Sequence, residues 1–584
     1  MQRIGIGYEN YKEFLEKNLY YVDKTPLIAD VIEKGSKVML ITRPRRFGKT
    51  LALSMLRTFF EAEYDRNGNA VDNRRYFEGK KIMEAGEEVL SQMGQYPVIS
   101  LSLKSGKQPS LVGSFLRIIE EIVDEYRRHD YLMDSEALSD DEKQRFREMM
   151  RGMVDWYEKE KGFRSREERL EAMESELDKY ATALKLLSQA LKKHHGRGVV
   201  ILLDEYDVPL ENAYFAGFYE EMVGFIRSLF ESSLKTNDAL ERAVITGCLR
   251  ISKESVFTGL NNLKVNSMLG IDFSEGFGFT QAETEGMLVA YGLSDKIEEV
   301  REWYDGYLFG ESEVYNPWSV ICYVDGKVNG KRRFPQPYWA NTSSNSIIRD
   351  LVERADAYTK EELERLIDGG TIEKRIHEDI TYDDMYESGD NLWNFLYFTG
   401  YMKKVSERYD GEEIYLTMRI PNIEVKSIYR NQIRGWFDRI VEKADRSVLY
   451  QAIREGDCEQ IGDFVTGLLG KSISTFDSSE SFYQGFFLSL LYDMPTYTAR
   501  SNREEGIGRP DIVLYPNRPA DPAYIFELKT RKKFNEMQGG LEEAFAQIED
   551  RKYEDGILDE GYVGSVSYGV CFCKKTCIVG RKGA

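Results

Sequence analysis

Short apolar runs punctuate the chain, and polar residues close each of them. Val38-Met39-Leu40-Ile41, Val98 to Leu103, Val199-Val200-Ile201-Leu202-Leu203 and Ala243-Val244-Ile245 carry little strict alternation. That pattern suits parallel strands covered on both faces. Between them the period becomes helical. Leu51 to Arg57 combines helix formers with helical spacing, and from Ser110 to about His195 charged residues flank an apolar stripe, as in Glu167-Glu168-Arg169-Leu170-Glu171-Ala172-Met173. This second stretch predicts a helical insertion over about 110–195, a hairpin projecting from the core. Tyr20-Tyr21-Val22 predicts a further short strand, followed by a helix to Lys34. Strands alternating with helices predict a doubly wound α/β sheet with its ligand at the carboxyl ends of the strands.

Residues 281 to about 370 read as mainly helical, with aromatic turns at Trp303 to Tyr307 and Val314 to Trp318 that read as packing. A helix from Asn391 to Tyr401 precedes a hairpin around Asp410-Gly411 and Ile414 to Pro421. Helices followed by a two-stranded wing suggest a winged-helix-like module, a DNA binder or a lid over the preceding core. Apolar runs return at Ile512 to Tyr515 and Ala523 to Leu528, with a helix after them at Leu541 to Ile548. The expected domains are a parallel-sheet α/β core at 1–285, a helical and winged-helix-like middle at 286–440, and linker helices with a C-terminal α/β domain at 441–584.

Composition narrows the picture. A chain of 584 residues is too long for one core. The net charge of −20 argues against a protein that coats nucleic acid generally. It leaves room for a local basic channel, with Arg43, Arg45 and Arg46 or Lys529 to Lys533 as candidates; Lys331-Arg332-Arg333 reads as a solvated patch. Six cysteines without a framework of spacings fit a reducing compartment. Cys571, Cys573 and Cys577 read as small apolar residues of a buried strand rather than zinc ligands. The N-terminus has no signal-peptide core and no long apolar run follows, so the expectation is a cytoplasmic protein without membrane contact.

The turn after Ile41 carries candidate chemistry. Strand, basic loop, Gly48-Lys49-Thr50 and helix is the context of a phosphate-binding loop. Lys49 would reach the β- and γ-phosphates, Thr50 would ligate Mg²⁺, and the helix N-terminus favours an anion. The first glycine of the usual motif is replaced by Arg43, and Pro44 removes a backbone donor. Arg45 and Arg46 would restore anion affinity through their guanidinium forks. The strand ending in Asp204-Glu205 fits a second requirement: an acid that holds Mg²⁺ (Asp204) and one that orients or activates the attacking water (Glu205). Thr246 ends the next strand and would point towards a nucleotide; Arg250 follows as a candidate γ-phosphate sensor.

A second centre stands near the C-terminus. Asp511 begins one strand, and Glu527 and Lys529 lie two apart on the next, hence on one face. If the strands pair, the three converge. Two carboxylates make a hard oxygen site for Mg²⁺, which activates water and stabilises charge on a phosphodiester; Lys529 would orient that water or neutralise the transition state. Gln547 on the following helix is positioned to face the same site.

Together these segments resemble a family of bacterial proteins that joins an AAA-ATPase-like domain to a C-terminal PD-(D/E)XK nuclease-like domain. The matching stretches are Tyr21-Val22-Asp23-Lys24-Thr25, Arg43 to Thr50, Leu203 to Leu210, Trp303 to Tyr307, Tyr315 to Trp318, Phe398 to Tyr401, Ile420-Pro421-Asn422, and Gly508 to Asp511 with Glu527-Leu528-Lys529. The resemblance implies ATP and Mg²⁺ bound by Lys49, Thr50 and Asp204, and a nuclease-like centre of Asp511, Glu527 and Lys529 with Gln547 as a helix-borne accessory. With both centres read together, the leading expectation is an ATP-regulated, Mg²⁺-dependent nuclease acting on nucleic acid, with DNA favoured over RNA. The alternative expectation is a nucleotide-switched scaffold with an inactive nuclease-like domain. The charged insertion is a candidate surface for a homo-oligomer or a protein partner.

Overall fold

The computed structural model describes residues 2–34, 36–65, 68–251, 256–257, 260–330, 332–339, 346–354, 356–378, 382, 385, 388–471, 480–501 and 510–582. Gly508, Arg509 and Lys331 lie outside them. The chain divides into two compact units, one of residues 1–344 with 371–426, the other of 345–370 with 427–584. The divisions expected at 285 and 440 do not coincide with this partition.

The first unit is organised around a five-stranded parallel sheet. Its strands are β1 (Val38–Thr42), β2 (Val98–Ser102), β3 (Val199–Asp204), β4 (Leu240–Gly247) and β5 (Leu263–Asn266), in the order β2-β3-β4-β1-β5. Every residue of β1 and β3 is buried, as unalternated apolar runs require when helices cover both faces. Register aligns the carboxyl ends: Ile41 stands beside Thr246, and Leu203 beside Ile245. Thr42, Asp204 and Thr246 therefore meet at one edge of the sheet.

The stretch expected as an insertion is helical: Leu111–Arg128, Asp140–Glu160, Arg166–Tyr180 and Ala183–His195. It does not project as a hairpin. Leu111–Arg128 packs on β2 and Ala183–His195 on β3, while the two middle helices pack over Leu111–Arg128. The apolar stripes face inward, with Ile118, Ile122 and Tyr126 of the first helix buried. The layer is tight: the Tyr180 hydroxyl donates to the Met149 carbonyl (3.0 Å), and a Cβ on Gly152 would fall 1.7 Å from that oxygen. The strand expected at Tyr20-Tyr21-Val22 is absent. The segment is extended without a ladder, and only Leu19 bridges Arg3.

Two small antiparallel sheets complete this unit. Strands β6 (Phe279–Thr280), β7 (Tyr307–Phe309) and β8 (Ser312–Tyr315) form one, in the order β6-β8-β7. Strands β9 (Ile372–Ile376), β10 (Lys403–Tyr409) and β11 (Ile414–Arg419) form the other, in the order β10-β11-β9, beside helix Gly389–Phe398. The winged-helix-like module is thus present with a third strand, β9, that the two-stranded expectation lacked.

The second unit holds a mixed sheet of β12 (Tyr497–Ser501), β13 (Ile512–Pro516), β14 (Ala523–Thr530), β15 (Ser565–Cys573) and β16 (Thr576–Arg581), in sequential order, with only the β14–β15 pair parallel. Helices Cys458–Lys471 and Glu480–Leu491 pack on one side of it, and Met537–Asp550 and Tyr553–Asp559 on the other. Among the described residues no helix is long and apolar enough to cross a membrane.

Candidate functional site

The loop after β1 delivers Lys49 and Thr50 to the carboxyl edge of the sheet. Helix Lys49–Phe60 starts behind Gly48, whose backbone is left-handed (φ +86°). Glycine adopts this conformation without the clash a Cβ would bring. Lys49 is 4% exposed, and its ammonium donates to the carbonyls of Arg43 (2.9 Å) and Pro44 (3.0 Å). The Thr50 hydroxyl donates to Asp204 Oδ2 (2.7 Å), and the Thr246 hydroxyl donates to Asp204 Oδ1 (2.5 Å). Thr246 therefore acts on Asp204 and is not itself turned to the loop. Glu205 has positive φ (+51°) and lines, with Lys49, Thr50 and Arg46, a cavity of about 330 Å³. Non-glycine residues in this conformation cluster at ligand clamps and active sites. Arg250 is not among the lining residues and reaches Glu378 instead (3.4 Å).

The loop arginines do three different things. Arg43, where the usual motif has glycine, is fully buried. Its Nη1 donates to the carbonyls of Thr42 (2.8 Å) and Asn266 (2.9 Å), its Nη2 to those of Asp272 and Phe273 (both 3.2 Å). It is a brace between β1 and the segment after β5. Arg45 pairs with Glu211 and lines the same cavity. Arg46 is exposed, has positive φ (+70°), and lies 4.4 Å from the centre of the Trp318 ring.

Scattered sequence signals converge behind this loop. A Cβ on Gly400 would stand 2.8 Å from the Pro44 ring, Phe47 packs edge-on against Tyr307 at 4.9 Å, and Asn422 donates to the Asp305 carbonyl (2.7 Å). The aromatic turns that read as packing do pack, yet one of them also supplies Trp318 and Pro317 to the cavity. Trp318 and Asp207 are the residues that motif reading passes over here. The Asp207 carboxylate receives the Cys248 and Leu249 N–H groups (2.7 and 3.0 Å), and burial pushes it up to about 6 against the opposing charge of Lys49.

In the second unit the expected hairpin forms, with Ile512 opposite Phe526. Asp511 Oδ2 receives the Leu528 N–H (2.8 Å), and Lys529 donates to Glu527 Oε1 (3.0 Å). Glu527 is 1% exposed, and among the described residues its Oε2 has no hydrogen-bond partner. Burial, then the Asp511 charge, push Glu527 up to about 7; burial also raises Asp511. Burial disfavours the Lys529 ammonium, but Glu527 and Asp511 outweigh it and hold its pKa above the ordinary value. A buried carboxylate with one unmet oxygen, beside a second carboxylate, fits a divalent cation.

Gln547 is half-buried and donates to the Tyr553 hydroxyl (3.3 Å). That phenol is raised by burial first and then by the Glu527 and Asp511 charges. Gln547 is thus tied to the centre through Tyr553, which the motif did not single out. Glu480, first residue of its helix, acts electrostatically on both Asp511 and Lys529. Among the described residues no group of three His, Cys, Asp or Glu side chains forms a metal cage. Cys571 and Cys573 face helix Met537–Asp550, whereas Cys577 belongs to the core on the other side of the sheet.

Comparison with known proteins agrees with this geometry. A family model described as predicted AAA-ATPase matches residues 5–257, and one for the PD-(D/E)XK nuclease superfamily matches residues 478–582. An uncharacterized protein in the vnfD 5′ region of Azotobacter chroococcum mcd 1 is 24% identical over 573 residues, covering 96% of this chain and 94% of that protein. One chain thus joins an AAA-ATPase-like segment, which contains the Gly48-Lys49-Thr50 loop, to a PD-(D/E)XK nuclease-like segment, which contains Asp511, Glu527 and Lys529.

Proposed function

We propose that the protein is an ATP-regulated, Mg²⁺-dependent nuclease acting on DNA. The observation that carries the reading is the state of Glu527: buried, its Oε1 held by Lys529, its Oε2 unmet, and Asp511 alongside. Such a carboxylate has a natural partner in a cation, and the sheet geometry that produces it depends on the pairing of β13 with β14.

A divalent cation held by Asp511 and Glu527 would supply Lewis-acid stabilisation of charge on the phosphodiester. Lys529, fixed by Glu527, is placed to orient the attacking water and to offset negative charge in the transition state. Tyr553 and Gln547 brace the rim of the centre. In the first unit Lys49 serves the β- and γ-phosphates, while Thr50 and Asp204 form the donor pair suited to Mg²⁺. Glu205 is the candidate for orienting the water that attacks the γ-phosphate.

The test is metal binding and cleavage in one series. Calorimetric titration with Mn²⁺ at neutral pH should show a site that Glu527→Gln loses, and supercoiled plasmid should be cut by the wild type and left intact by Glu527→Gln. A variant that cuts as well as the wild type contradicts the assignment.

A further inference from the structure

Of the three arginines in the phosphate loop, Arg46 has the most open guanidinium among the described residues. Arg43 is taken by four backbone carbonyls and Arg45 by Glu211. Arg46 makes no hydrogen bond or ion pair among the described residues, and its guanidinium lies 4.4 Å from the centre of the Trp318 ring. Stacking uses the face of a guanidinium and leaves its in-plane N–H fork open. Both side chains line the cavity that holds Lys49 and Thr50. The backbone at Arg46 is left-handed (φ +70°), a conformation that costs a non-glycine residue free energy and that the fold retains.

Trp318 is itself held from behind. It lies in the first turn of helix Pro317–Val328, where Asn316 caps the helix by accepting the Ser319 N–H (3.3 Å) and Pro317 takes the first position. The neighbouring Ser319 hydroxyl donates to the buried Glu424 carboxylate (2.8 Å), which also receives the Trp339 N–H (2.7 Å). The helix start that carries the indole is therefore held in place. It lies outside residues 5–257, the span that the AAA-ATPase model covers.

We infer that Arg46 and Trp318 form a clamp for the polyphosphate of a nucleoside triphosphate, in which Trp318 is the positioning residue that holds the Arg46 fork against the phosphates. This rests on the nucleotide reading of the Lys49 site and extends the site beyond the AAA-ATPase-like segment. Trp318 works through Arg46, so removing either should have the same consequence, and removing both should cost no more than removing Arg46.

The experiment is calorimetric titration of the full chain with Mg·ATP, together with tryptophan fluorescence, for wild type, Arg46→Ala, Trp318→Ala, Trp318→Phe, the Arg46→Ala/Trp318→Ala double variant and Lys49→Ala. The clamp predicts that Arg46→Ala and Trp318→Ala each weaken ATP by about tenfold, and that the double variant is no weaker than Arg46→Ala. Trp318→Phe should keep affinity, since a ring remains, while its ATP-induced fluorescence change becomes smaller than that of the wild type, whose signal sums six tryptophans. Wild-type affinity in Trp318→Ala, losses that multiply in the double variant, or a fluorescence change of undiminished size in Trp318→Phe would overturn it. Should Trp318→Ala not fold, Arg46→Ala and Trp318→Phe decide between these outcomes. If Lys49→Ala binds ATP like the wild type, the nucleotide reading falls and the clamp with it. If Lys49→Ala loses ATP while Trp318→Ala keeps it, the clamp alone falls.

Discussion

Thr50 and Asp204 lie more than 150 positions apart in the chain and share a hydrogen bond of 2.7 Å at the carboxyl edge of the sheet. Thr246 completes the arrangement from the next strand, on the other oxygen of the same carboxylate. Both oxygens of Asp204 are thus oriented before any ligand arrives. Asp204→Ala should abolish the Mg²⁺-dependent part of ATP binding and lower ATP turnover by about 100-fold. Thr246→Ala should lower turnover more mildly, because Thr50 still holds one oxygen, and Thr246→Ser should restore it. Calorimetry with and without Mg²⁺ and a phosphate-release assay measure both.

Arg43→Gly restores the glycine of the common phosphate-loop motif, and motif reasoning alone would expect it to improve binding. The structure predicts the reverse. The substitution strips buried carbonyls of Thr42, Asn266, Asp272 and Phe273 of their donor and leaves a cavity against Phe277 and Phe309. The loss should be about 3 kcal/mol or more, read as a lower unfolding midpoint in denaturant, with no gain in ATP affinity.

Glu424 gives a pH signature. It is fully buried, and burial pushes it up to about 8, against the hydrogen bonds it receives from Trp339 and Ser319. In the unfolded chain its pKa is near the usual value of about 4.3. Between these values the folded protein holds one more proton than the unfolded one, so stability falls as pH rises. The contribution is complete below the unfolded pKa and lost as pH passes through the folded one. Glu424→Gln removes this dependence. The melting temperature of the variant relative to wild type should rise from pH 5 to pH 8 and level off above, as followed by circular dichroism.

How much of this was legible in the sequence depends on how local each signal is. Gly48-Lys49-Thr50, the apolar run ending in Asp204-Glu205, and the hairpin carrying Asp511, Glu527 and Lys529 each declare themselves within about twenty residues, because strand period and motif spacing act over that range. The role of Arg43 is not legible: its partners at 266, 272 and 273 come from the far side of β5, a strand too short to stand out. Trp318 read as packing because an aromatic turn has the same sequence appearance whether it faces a core or a cavity. The helical layer of 111–195 was legible as helix but not as packing, since the periodicity marks an apolar face without saying what covers it. Arg250 was placed by chain position alone, and Glu378, more than 120 residues onward, is what holds it.

The central claim is that two centres in one chain are coupled. The most direct measurement is cleavage of plasmid and of linear single-stranded DNA with Mg²⁺ or Mn²⁺, with and without ATP, by wild type, Lys49→Ala and Asp511→Ala. The account predicts cutting by the wild type that changes with ATP, a Lys49→Ala variant that has lost the response to ATP, and an Asp511→Ala variant that does not cut while still binding ATP. Cleavage that persists in Asp511→Ala, or ATP turnover without cleavage under any of these conditions, would contradict it.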